Sequence, residues 1–122
     1  MVTSPHTLVV RLDRMGDVLL AGPAVRAIAA GSRRVTFLAG PHGRAAASLL
    51  PGIDEVVEWR CPWIELPAAP VRATDVDELV GRLRRLEVDR AVIFTSFHQS
   101  ALPTALLLRL AGVAWVGAVS ED

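Results

Sequence analysis

The chain has 122 residues, 52% of them hydrophobic and 21% charged. That is enough apolar material for one folded core and too much for a disordered chain. Thirteen basic side chains balance thirteen acidic ones, so no basic field exists to hold nucleic acid or an anionic membrane surface.

All thirteen of those basic residues are Arg, which removes Schiff-base chemistry and any Lys-dependent phosphate site. The single Cys61 excludes an intrachain disulfide framework and suits a reducing compartment. At the N-terminus, Arg11 and Asp13 interrupt the one candidate leader-like stretch. Residues 100–119 come nearest to a membrane span, but Pro103, Arg109 and Gly112 break them into an expected buried helix and buried strand. A soluble, cytoplasmic domain is the expectation.

Residues 7–12 form a continuous apolar run with β-branched members, the pattern of a strand covered on both faces. A turn over residues 13–17 (DRMGD) follows, and Pro23 suits the first turn of a helix. Ala24, Val25, Ala27, Ile28 and Ala29 continue that helix until Gly31 stops it. Residues 34–39 (RVTFLA) read as a second strand. Gly40-Pro41 then turns the chain into a small-residue helix through Leu50, closed by Pro51-Gly52. Residues 55–59 are a third strand.

Residues 60–73 (RCPWIELPAAPVRA) are Pro-rich and aperiodic, a surface loop longer than connection requires. In the next helix Val76, Leu79, Val80, Leu83 and Leu86 share one face. Thr74 is its candidate cap, with Asp77 completing a capping-box variant. Acids crowd its start and arginines its end, which suits the helix dipole. Residues 91–95 make a fourth strand, 101–111 a fourth helix and 113–119 a fifth strand.

Strand and helix alternate throughout, so the expected fold class is α/β, Rossmann-like and three-layered, with a five-stranded parallel sheet. The two longest apolar strands, first and fourth, are natural central neighbours, giving the order 3-2-1-4-5. That order places the 13–17 turn beside residues 96–100 (SFHQS) at the switch-point crevice, where open α/β sheets keep their ligands.

Two readings of Asp17 stand at this level: a helix N-cap, worth ~1 kcal/mol, or a catalytic carboxylate. Asp13 reads as a turn residue or a partner for Arg14. His98 and Gln99 suit a solvated loop, and Ser96 and Ser100 are ordinary cap types. Their convergence on one crevice is what favours function. Dinucleotide binding is excluded, because the first turn lacks G-x-G-x-x-G and the second strand ends in Ala39-Gly40. A P-loop needs Gly-Lys, a phosphoacceptor receiver needs an Asp ending the third strand, and Ser100 lacks a nucleophile elbow. No Cys/His cluster has metal spacing.

The segment LVVRLDRMGDVLLAGPAVRAI resembles the opening of glycosyltransferase family 9, the family of the ADP-heptose:lipopolysaccharide heptosyltransferases, with Gly16, Asp17 and Pro23 in place. VTFLAGPHGRAAASLLPGIDEVVEW and AVIFTSFHQSALPTALLLRLAGVAWVGAV are similar to later blocks of that family's N-terminal domain. The resemblance implies that residues 1–122 are the acceptor-binding N-terminal half of a GT-B fold, without the C-terminal donor-binding domain. It further implies an inverting, metal-independent transfer with no bound cofactor, from a nucleotide-sugar such as ADP-heptose to a glycan or lipid-linked acceptor. Lipopolysaccharide biosynthesis at the cytoplasmic face of the membrane, with at most peripheral association, goes with it.

Asp17 would be the general base, with Arg14, Met15, Gly16, Ser96, His98, Gln99 and Ser100 around the substrate. Two features depart from the family pattern: Leu20 stands where many heptosyltransferases carry His, and residues 95–100 replace a Gly-rich turn bearing an acid. His98 is then an alternative polar contact or base. Trp59, Trp63 and Arg60 are candidates to stack on a sugar, or to pack the core. On the enzyme reading the isolated domain is expected to be inactive; the reading from a different class is a non-catalytic sugar- or nucleotide-binding module, or a truncated remnant.

Overall fold

The structure, a computed structural model, describes residues 4–65 and 67–119. Five parallel strands, β1 (His6–Arg11), β2 (Arg34–Ala39), β3 (Glu55–Glu58), β4 (Arg90–Phe94) and β5 (Trp115–Val119), form one sheet in the order β3-β2-β1-β4-β5. The α/β class and the strand order match the sequence reading.

Alternation along β1 builds two cores, one on each face of the sheet. Leu8 and Val10 pack with the helices α4 (Ala73–Leu86) and α5 (Leu102–Leu110), through Leu79, Leu83, Leu107 and Leu108. Val9 faces the other way, into a cluster with Val18, Val25, Val35 and Phe37. That layer contains α1 (Met15–Leu20), α2 (Gly22–Ala30) and α3 (Arg44–Ala47). The α4 face legible in sequence is the one used: Leu79 and Leu83 are buried, with Val76, Val80 and Leu86 partly so.

Local details differ from the sequence reading in three places. Residues 13–17 are not all turn, because α1 starts at Met15, and its N-cap position is Arg14 with no side-chain cap. Pro23 marks a break between α1 and α2, since it has no N–H to continue the ladder across Ala21. Asp17 therefore lies inside the first turn of α1 and does not cap it. Thr74 likewise falls within α4, whose N-cap is Arg72 with no side-chain cap bond. The small-residue helix shrinks to Arg44–Ala47, because Leu49 and Leu50 bond back three residues, to Ala46 and Ala47, and tighten its end.

Two glycines let the β2–α3 connection close on the turn after β1. A Cβ at Gly40 would stand 2.7 Å from the Leu12 carbonyl oxygen, and one at Gly43 would stand 2.9 Å from that of Asp13. This close approach forms one wall of the crevice.

Candidate functional site

Arg11 ends β1 and turns its guanidinium toward the C-terminal edge of the sheet. Its Nη2 donates to Ser96 Oγ at 3.1 Å and lies 3.4 Å from Asp13 Oδ2 and 3.6 Å from Asp17 Oδ1. Ser96 Oγ in turn donates to Asp13 Oδ2 at 2.7 Å, and the Ser96 amide donates to Gln99 Oε1 at 3.1 Å. The loops after β1 and β4 are thus joined by side chains 83 residues apart in sequence. The adjacency of these loops follows from β1 lying between β2 and β4.

Beside this network is a cavity of about 270 Å³, lined by Leu12, Asp13, Arg14, Asp17, His42, Ile64, Glu65, Ser96 and Gln99. Asp17 keeps 38% of its side chain exposed while Asp13 keeps only 5%, so Asp17 is the carboxylate open to solvent. Asp13 Oδ1 and Arg11 Nε are buried without partners. Buried polar atoms are satisfied in the great majority of cases, so two orphans in one network set it apart.

Of the residues singled out in sequence, the structure gathers Arg14, Asp17, Ser96 and Gln99 around the cavity, together with Asp13. Met15 and Gly16 are exposed on the first turn of α1 and lie outside the lining. His98 also lies outside it: its backbone takes a left-handed φ of 71°, and its exposed ring stands edge-on to Phe97. Ser100 Oγ accepts the Leu102 amide at the start of α5. Sequence reading missed Arg11, His42 and Glu65. Arg11 looked like an interruption in an apolar run, and the other two sit on loops whose course no periodicity reveals.

Trp59 and Trp63 meet edge to face at 5.4 Å and pack against the core. Trp59 and Arg60 line a separate cavity of about 280 Å³ beside α4. The two cavities are nearly equal in size, so volume does not choose between them. The crevice is the one with an open carboxylate backed by a shared guanidinium. Cys61 is buried, which pushes its thiol up to about 12, so it is no nucleophile at neutral pH. Among the described residues no group of three His, Cys, Asp or Glu could hold a metal ion, and no helix is long and apolar enough to cross a membrane.

No family model and no curated protein sequence matches this chain. A solved structure does: the crystal structure of the glycosyl transferase family 9 from Veillonella parvula DSM 2008, with a TM-score of 0.71 at 12% identity. The chain has a glycosyltransferase-like fold. All of it is covered by the match, and it spans 38% of the length of that neighbour. At this identity the likeness shows the architecture alone, and the site rests on its own geometry.

Proposed function

We propose that this chain is the acceptor-side domain of an inverting, heptosyltransferase-like glycosyltransferase of the GT-B type. Its partner in the reaction is a C-terminal donor-binding domain that holds a nucleotide-sugar such as ADP-heptose. The observation that carries the reading is the position of Asp17: a half-exposed carboxylate on the wall of the switch-point cavity, in a fold shared with a family 9 glycosyltransferase.

In the reaction, a hydroxyl of the glycan or lipid-linked acceptor lies against Asp17. As its oxygen attacks the anomeric carbon, the proton passes to the Asp17 carboxylate. The bond to the nucleotide diphosphate breaks on the opposite face, and the configuration inverts. Arg11 steadies the carboxylate through Oδ1, leaving the rest of the group to the substrate. No metal or bound cofactor takes part in this scheme. Charge on the departing diphosphate is met by the donor-binding domain.

The test is Asp17→Ala, assayed for transfer from a panel of nucleotide-sugars with the donor-binding domain supplied. Loss of a general base lowers kcat by about 10²–10⁴-fold, with the unfolding midpoint little changed. Transfer by Asp17→Ala at the unsubstituted rate would remove Asp17 from the role. Absence of transfer by the unsubstituted protein from every donor leaves the alternative, a binding module without catalysis.

A further inference from the structure

Asp13 carries more information than a turn residue does. It is 6% exposed and lines the crevice cavity, yet only one of its oxygens is engaged. Oδ2 accepts from Ser96 Oγ and faces Arg11, while Oδ1 has no partner. A buried carboxylate oxygen without a donor costs stability, and because Asp13 lines the cavity, a small turn of its side chain brings that oxygen to a ligand hydroxyl.

The rest of the lining says which ligand suits it. Asp17 and Glu65 add two further carboxylates. The nearby cationic heads are already engaged, Arg11 with Asp13 and Asp17, and Arg60 with Glu65 at 3.0 Å. Arg14 is the lining arginine without an ion pair among the described residues, and it is exposed. The wall therefore offers three carboxylates as acceptors beside the nitrogen groups of Arg14, His42 and Gln99, and the acceptors suit hydroxyl donors and disfavour a carboxylate or phosphate brought against Asp13. Asp13 Oδ2 and Asp17 Oδ1 both lie within 3.6 Å of one Arg11 nitrogen, close enough for hydroxyls of a single sugar ring to reach both residues.

We propose that Asp13 is a second ligand-binding carboxylate of the crevice, accepting a hydroxyl of an uncharged sugar while another hydroxyl of the same ring meets Asp17. The role given to Asp17 rests on the transferase reading; the binding role of Asp13 and the preference for an uncharged ring do not.

The probes are the methyl glycosides of glucose, mannose and galactose, each set against the matching methyl uronide, which differs by one carboxylate. They are titrated into the 122-residue chain while its backbone amide resonances are followed. At least one neutral glycoside shifts the amides of residues 12–17 and 96–99, and its uronide binds about ten-fold or more weakly. Asp13→Asn weakens the neutral glycoside by about ten-fold or more, as expected for loss of a hydrogen bond to a charged group. Uronides that bind as well as or better than the neutral rings overturn the proposal, as does a chain that responds to neither. Unchanged binding by folded Asp13→Asn does the same, and if that variant fails to fold, the comparison of neutral and charged rings decides alone. Asp13-dependent binding in a protein that transfers no sugar overturns the transferase reading and leaves this one standing. Preference for uronides in a protein that does transfer sugar has the reverse consequence.

Discussion

At the N-terminal edge of the sheet, His6 Nε2 pairs with Thr36 Oγ1 at 2.8 Å, Thr7 Oγ1 with Ser32 Oγ at 2.8 Å, and Arg90 Nε donates to Thr7 Oγ1 at 2.8 Å. At the C-terminal edge of the same strands, Arg11, Asp13 and Ser96 form an equally dense network that leaves Arg11 Nε and Asp13 Oδ1 without partners. Both edges bury polar groups between the same elements. One closes its hydrogen bonds internally, and the other leaves them open beside a cavity. Polar burial alone therefore does not mark a site here; incomplete pairing of buried atoms beside open space does.

The sharpest way to break this contrast is Arg11→Met. It strands the Asp13 carboxylate in a buried position, and destabilisation of about 3 kcal/mol is expected from urea unfolding. Asp17 adds little to that cost because it is more exposed and can rehydrate. The double variant Arg11→Met with Asp13→Leu recovers most of the loss, since an apolar pair can replace a buried ion pair. No recovery in the double variant would mean the network contributes more to folding than its open atoms suggest.

At the opposite edge, Thr36→Val keeps the shape but deprives Nε2 of the buried His6 ring of its partner. A loss of about 1–2 kcal/mol is expected, measured in the same way. A smaller cost here than for removing the Ser96 hydroxyl would weaken the distinction between a closed and an open edge.

The smallest effect is a pH dependence at the closed edge. Burial, aided by Arg34 and Arg33 and opposed by Asp89, holds His6 below its ordinary value of 6.5. The native state thus prefers the neutral ring, and the unfolded chain takes up the proton first as pH falls. The contribution of His6 is complete above 6.5 and declines as pH drops through that value. Unfolding free energies measured from about pH 7.5 to about pH 5.5 should show this decline, and His6→Gln should flatten it.

How far the residues announced the fold can be followed along β1. The run LVV in an otherwise alternating β/α chain required a central, doubly covered strand, and Leu8, Val9 and Val10 are all fully or almost fully buried. Crossover handedness then fixed which loops meet, so Asp17 and Ser96 could be assigned to one crevice. The start of α1 was not legible, because Arg14 offers no side-chain cap and Val18 is the helix's one buried residue. That short helix depends on packing against α3, where Gly43 admits Val18 at a distance no larger residue would allow without movement. His98, prominent in the sequence, is carried away from the cavity by a backbone conformation that no local pattern foretold.

By itself, then, the order of apolar runs and breakers determined the sheet, its strand order and the edge where a ligand would sit, because periodicity and crossover geometry are local properties repeated along the chain. Which polar atoms meet at that edge was decided only by the tertiary structure. Arg11 touches Ser96 and Ser96 touches Asp13 across 85 and 83 positions, and hydrogen bonds of a few ångströms between distant segments depend on how the loops pack.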